Sequence, residues 1–178
     1  IYPGHGTGTA SVVASRTSGI MSGAAPLATL VPLRAVTSVV VLDHGRVAAA
    51  VEYARKKGAN VITMSLGGAW SSALRAAIGK AISAGVIVLA AAGNCVRIVV
   101  WPARYEEVIA VAGYNISDQP WIGSCRGEAV DIVAPAEFVP RANRAPANGG
   151  GPTDVRGGQG TSFAVALTAG TAALWVAH

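Results

Sequence analysis

A mostly parallel α/β sheet with helices on both faces is the fold this sequence predicts, and three observations carry it. The runs 86–92, 108–112 and 130–134 are short and wholly apolar, as strands covered on both faces are. They alternate with helix-periodic stretches of about 12 residues, which implies βαβ units with right-handed crossovers. Composition agrees: 52% of residues are apolar, 13% are charged and 22 are glycine, which suits a compact α/β protein and not a disordered one. The 178 residues suffice for one full hydrophobic core, and no repeat or linker divides them, so 1–178 reads as a single domain.

The elements follow in order. The chain opens on Ile1-Tyr2-Pro3-Gly4-His5 without a cap or lead-in strand and reads as a piece of something longer. Residues 5–14 are small and helical, with the histidine first. Residues 16–26 form a Gly/Ser loop, and 27–36 and 39–42 are rich in β-formers. Residues 46–57 fit a helix with Val47, Val51 and Ala54 on one face, stopped by Gly58-Ala59-Asn60. The next strand, 61–66, ends in Gly67-Gly68. Residues 71–84 are the clearest amphipathic helix, with Leu74, Ile78, Ala81 and Ile82 on one face and Gly85 as its stop. Strand 86–92 breaks at Gly93-Asn94; 108–112 follows, and 130–134 is closed by Pro135. Residues 136–158, rich in Gly, Pro, Asn and Arg, have no periodicity and read as a surface excursion. The last segment, 164–177, has scarcely a polar group, so it is buried on every side inside a protein or a membrane. At 14 residues it is short for a membrane span, which makes it a central core helix.

Charge excludes several classes. The net charge of +5 comes from scattered Arg and Lys, and only Arg55-Lys56-Lys57 cluster, at a helix end where cations complement the dipole. No aromatics interleave with basic residues, so a nucleic-acid partner is not expected. Nor is a membrane: no run is long enough to span one, and no signal peptide is evident. Cys95 and Cys125 permit one disulfide or leave Cys95 a thiol beside Asn94, and they do not decide the compartment. Two isolated cysteines make a poor metal site, so neither metal nor cofactor is expected.

The chemistry is suggested by Gly158-Gln159-Gly160-Thr161-Ser162-Phe163-Ala164. A glycine turn delivers Ser162 to a helix start, where unpaired N–H groups and the dipole favour developing negative charge. The plainer reading of Ser162 is an ordinary N-cap. His5 also lies at a helix start, which keeps its imidazole neutral and able to accept a proton. Asn94, straight after a buried strand, is a turn residue or a donor.

Four motifs in order resemble those of the subtilisin-like serine peptidases: His5-Gly6-Thr7, Ser65-Leu66-Gly67-Gly68, Ala91-Ala92-Gly93-Asn94 and Gly160-Thr161-Ser162-Phe163-Ala164. Trp101-Pro102-Ala103-Arg104-Tyr105, Val108-Ile109-Ala110-Val111-Ala112 and Asp131-Ile132-Val133-Ala134-Pro135 add to the likeness, which runs from Gly4 to the end. The resemblance implies a three-layer architecture that is incomplete at its N-terminus, the chain being roughly the last two-thirds of a catalytic domain. It implies an endopeptidase in which Ser162 attacks the carbonyl and His5 carries the proton, while Asn94 and the Ser162 N–H hold the oxyanion. Ser65, Leu66 and Gly67 would pair with the peptide substrate, glycine allowing close approach. Ala91, Ala92 and Gly93 would wall a roomy first specificity pocket. The family also suggests an extracellular setting.

The pattern breaks at one catalytic position. The family's third residue is an aspartate upstream of the histidine, and only four residues, none acidic, precede His5. Asp43, Asp118 and Asp154 lie outside that motif, and Asp131 matches a structural aspartate. The carboxylate is therefore expected upstream or from a second chain, and strand 86–92 and its neighbours should lack partners. Gly8 stands where a histidine is frequent, and Ala166 where a proline is usual. The loop at Thr17-Ser18-Gly19-Ile20 has no carboxylate for calcium. The competing reading is an inactive module of the same fold that binds extended peptides or a protein partner. An α/β-hydrolase fits poorly, because histidine comes first here and the turn is not G-x-S-x-G.

Overall fold

The structure, a computed structural model, describes residues 4–16, 20–94, 97–143 and 154–178. Its centre is a four-stranded, all-parallel sheet in the order β2-β4-β5-β6, formed by β2 (Val61–Met64), β4 (Ile87–Ala91), β5 (Ile109–Tyr114) and β6 (Ile132–Pro135). The two-residue strands β1 (Val40–Val41) and β3 (Gly67–Gly68) pair parallel outside it. A hairpin of β7 (Val139–Ala142) and β8 (Val155–Gly158) is antiparallel.

Strand alternation explains the wholly apolar runs. Val88, Ala90 and Ala92 face one core, while Leu89 and Ala91 face the other. The first core is closed by α2 (Gly45–Lys56) and α3 (Ser72–Ser83), which present Val47, Val51 and Ala54, and Leu74, Ile78 and Ala81. Leu74 and Ile78 are completely buried, so truncating either to Ala should cost about 2–5 kcal/mol. The Ser71 hydroxyl caps α3 by accepting the Leu74 N–H at 3.3 Å. The second core is closed by α4 (Thr161–Val176) through Ala164, Val165 and Ala169. Behind α4 lies α1 (His5–Ala14), whose Val12 and Val13 meet Phe163, Ala166 and Val139. The order is thus α2 and α3, sheet, α4, then α1, the α/β arrangement with a parallel sheet that the sequence predicts.

The departures share a cause. Residues 27–36, expected as strand, form none; Leu27 is 95% exposed and the segment joins no ladder. Extended backbone becomes strand only with a partner, whatever its β-propensity. Residues 39–42 contribute only β1, which joins β3 and not the main sheet. Among the described residues the sheet edges fall on β2 and β6 and not on β4, which β2 and β5 flank. The excursion at 136–158 contains β7 and β8, an antiparallel pair that no local pattern announces. Finally, α4 is buried only through its first turns and at Ala169 and Gly170; Trp175 is 82% exposed. No helix among the described residues is long and apolar enough to cross a membrane.

Candidate active site

The site is built on the first turn of α4. Gly160 is the N-cap, with φ at +135° and ψ at 155°, a region essentially closed to residues with a Cβ. The helix begins at Thr161, so Ser162 is its second residue and not its N-cap. Its hydroxyl is not consumed in capping and makes no hydrogen bond among the described residues, although Ser162 is buried. A second helical residue also has no intrahelical acceptor for its own N–H. The Ser162 carbonyl accepts the Ser65 hydroxyl at 2.9 Å, which fastens the end of β2 to this turn.

Asn94 follows β4 and bridges to Ser124. Its Oδ1 accepts two bonds from Thr161, from the N–H at 3.0 Å and from the hydroxyl at 2.8 Å. Thr161 Oγ1 in turn accepts the Gly93 N–H at 3.3 Å. With its oxygen engaged, the exposed Asn94 side chain keeps Nδ2 beside the turn, 3.1 Å from where a Gly160 Cβ would stand. Sequence reasoning missed Thr161, which is 1% exposed and sets the orientation of Asn94. The available signal was a hydroxyl residue in the glycine turn directly before the serine.

His5 is the first residue of α1 and half-buried; its ring lies 6.4 Å from the Phe163 ring, centroid to centroid, at 46°. Burial, and after it the charge of Arg141, holds its imidazole below the ordinary histidine range. Asn94 and His5 therefore both reach the first turn of α4, Asn94 bonding Thr161 and the His5 ring lying beside Phe163, the two neighbours of Ser162 in sequence. No hydrogen bond joins His5 to Ser162 among the described residues, and such bonds are often loose before substrate binds. Among the described residues no carboxylate pairs with His5. Asp43 Oδ1 accepts the Gly45 N–H, Asp131 Oδ2 the Ala110 N–H, and Asp154 pairs with Arg156. Asp118 sits in a turn with φ at +56°.

The expected substrate-binding residues are placed less openly. The Gly67 N–H is bonded at 2.9 Å to the carbonyl of Val39, the residue before β1, and Gly68 pairs with Trp101 on both of its groups. A side chain at Gly68 would run into the Val41 carbonyl, so glycine is what lets β1 lie this close. Leu66 packs against the α2/α3 core, and Ala91 and Ala92 are buried on opposite faces of the sheet. Gly93 is backed by Cys125 Sγ and Val100. A surface depression of about 570 Å³ lies elsewhere, lined by Glu52, Arg55, Gly79, Lys80, Ser83 and Ala84. Cys95 and Thr17-Ser18-Gly19 lie outside the described residues, and with them the disulfide and the calcium-loop expectations. No group of three or more metal-ligating side chains occurs among the described residues.

The profile of the Subtilase family matches residues 2–178. Subtilisin DY of Bacillus licheniformis is 34% identical over 144 residues, covering 76% of this chain and 52% of that protein. Thermitase of Thermoactinomyces vulgaris is 37% identical over 147 residues, covering 76% of this chain and 50% of that protein. The chain thus spans about half the length of these curated relatives. Among solved structures, the prenylagaramide maturation protease PagA superposes with a TM-score of 0.85 at 30% identity, over 98% of this chain and 65% of that one. The self-cleaved protease domain of PatA superposes with a TM-score of 0.83 at 26% identity, over 98% of this chain and 68% of that one.

Proposed function

Because this chain belongs to the subtilase family, we propose that it forms a single serine endopeptidase domain, acting on peptide or protein substrates through an acyl-enzyme. One observation supports this most: His5, Asn94 and Ser162, far apart in sequence, gather at the first turn of α4. The Ser162 hydroxyl attacks the scissile carbonyl and passes its proton to His5, which returns it to the leaving amine. The Asn94 Nδ2 and the Ser162 N–H receive the oxyanion, and Thr161 holds the first of these donors in place. By the family likeness, the protein works outside the cell.

The carboxylate that steadies the histidine comes, in this proposal, from a strand laid against the open edge of β2, supplied upstream or by a second chain. The edge is unpaired, and β2 leads to Ser65, which already touches Ser162. The apolar segment 27–36 joins no ladder and keeps Leu27, Leu30, Val31 and Leu33 exposed. A peptide adding at Gly67 has to displace the Val39 carbonyl from the Gly67 N–H. Ala91, Ala92 and Gly93 then back the residue whose carbonyl is attacked.

The test is labelling by a fluorophosphonate, which needs an activated serine. Adduct confined to Ser162, abolished by Ser162→Ala and strongly reduced by His5→Ala, is the expected result. The second reading, an inactive peptide-binding module, is favoured by one observation: no carboxylate reaches His5. Peptide binding with no adduct at Ser162, once the carboxylate strand is present, would establish that reading and overturn the first.

A further inference from the structure

The hairpin strand β7 crosses α1 close to the histidine. The Ala142 N–H donates to the Ser11 hydroxyl at 2.9 Å, fixing β7 along the helix. One turn after His5, buried Gly8 leaves a notch, and the Arg141 stem fills it; a Cβ on Gly8 would stand 3.1 Å from Arg141 Cδ. The guanidinium reaches over Phe163, with Cζ 5.7 Å from the ring centroid. His5 packs on the same ring, and Ser162 is the residue before it.

We propose that Arg141 is a positioning residue for the His5 base: lodged in the Gly8 notch across Phe163, its fixed charge biases the imidazole towards the neutral, proton-accepting form. The proposal rests on the reading of His5 as the general base. Gly8, a departure from the family pattern, thereby gains a purpose, since a larger side chain there would expel the arginine.

The charge is poorly cancelled. Arg141 Nη1 donates to the neutral side chain of Asn143 at 3.2 Å, and Nε is buried without a partner among the described residues. The nearest carboxylate in this network, Asp154, is held by Asn143 and paired with Arg156 at 3.2 Å. Among the described residues no other charge acts on the imidazole: α1 carries no acidic or basic residue besides His5, and α4 carries none. Asp154 feels the Arg141 charge and offsets part of it, but its direct pairing is with Arg156, and a cation offset only in part acts over several ångströms in partly desolvated surroundings. Burial and Arg141, in that order, lower the His5 pKa. The same charge opposes the imidazolium that forms when Ser162 gives up its proton. The base is therefore kept ready but made dependent on a carboxylate arriving beside it.

The experiment is a histidine titration by NMR of the imidazole C–H signals. The sequence has three histidines, His5, His44 and His178, and His5→Gln identifies the relevant signal. Arg141→Met keeps a stem in the notch and removes the charge, and Arg141→Lys restores a charge. The expected result is a higher His5 midpoint in Arg141→Met, restored towards the original in Arg141→Lys. A midpoint unmoved in a folded Arg141→Met protein overturns the proposal. So does an equal shift in both variants, which would mark packing and not charge. If Arg141→Met does not fold, the unaltered protein serves: screening by added salt should raise the His5 midpoint, and salt independence overturns the proposal. None of these readouts needs turnover. Failure of Ser162 to label would sink the peptidase reading alone, and a static midpoint would sink the role of Arg141 alone.

Discussion

Thr161→Val tests the oxyanion geometry most sharply, because it removes one hydroxyl and almost no volume. In the structure that hydroxyl makes two bonds, donating to Asn94 Oδ1 at 2.8 Å and accepting the Gly93 N–H at 3.3 Å. Loss of the first should cost about 0.5–1.5 kcal/mol, and the partly buried N–H left behind about 1–3 kcal/mol. The sum, roughly 1.5–4.5 kcal/mol, corresponds to a fall in Tm of about 3–18 °C for a chain this long. The Thr161 N–H still holds Asn94 at 3.0 Å, so the amide is loosened and not lost. Complete loss of an oxyanion donor costs about 10²–10³ in kcat, a magnitude measured on a subtilisin, a member of this chain's own family. Loosening should therefore slow the reaction by about tenfold, with KM little changed. Thermal unfolding reads the first effect. The rate of phosphonylation at Ser162 reads the second, because the phosphoryl oxygen occupies the oxyanion position. A variant with lowered Tm but an unchanged labelling rate would refute the claim that Thr161 orients Asn94. A variant unchanged in both would refute the bonds themselves.

Gly160→Ala places a Cβ 3.1 Å from Asn94 Nδ2 on a backbone with φ at +135°, so stability should fall by about 1–3 kcal/mol and labelling should slow with it. Denaturant unfolding and the labelling rate check both effects; an unimpaired variant would mean the turn is not held as described. His44 is 3% exposed with Nε2 unpartnered, and burial lowers its pKa against the raising effect of Asp43. The unfolded chain then binds the proton first, so stability is lost as pH falls through the ordinary histidine range near 6.5, with His5 adding to the slope. His44→Leu should flatten that slope; an unchanged pH profile of unfolding free energy would show that His44 titrates normally. The Gly67 amide, bonded to Val39 at 2.9 Å, should exchange slowly with solvent, while a covalent peptide inhibitor of Ser162 should release β1 and speed exchange at Val41. Unaltered exchange at Val41 in a stoichiometric adduct would show that peptide binds without displacing β1.

The residues proposed to bring chemistry to the site could be picked out because each lies in a short motif with its own local geometry. Gly160-Thr161-Ser162 marks a turn into a helix, Gly93-Asn94 a strand end, and His5 a helix start. The helix faces were legible for the same reason: Leu74, Ile78 and Ala81 recur at helical spacing, and their burial follows from that spacing alone. Residues 27–36 show the limit, since their β-propensity was read correctly but propensity does not supply a partner strand.

What local pattern determined, then, was which segments could be strand or helix and which side chains could do chemistry. Which of them meet was decided by contacts spanning the chain. Ser65 reaches Ser162 across 97 positions, and Ser11 reaches Ala142 across 131. The pairing of β1 with Gly67, the grip of Thr161 on Asn94 and the place of Arg141 over Phe163 belong to this second kind. Hydrogen bonds and charge act through space, and the distances on which they depend exist only once the sheet has brought α1, β7 and α4 together.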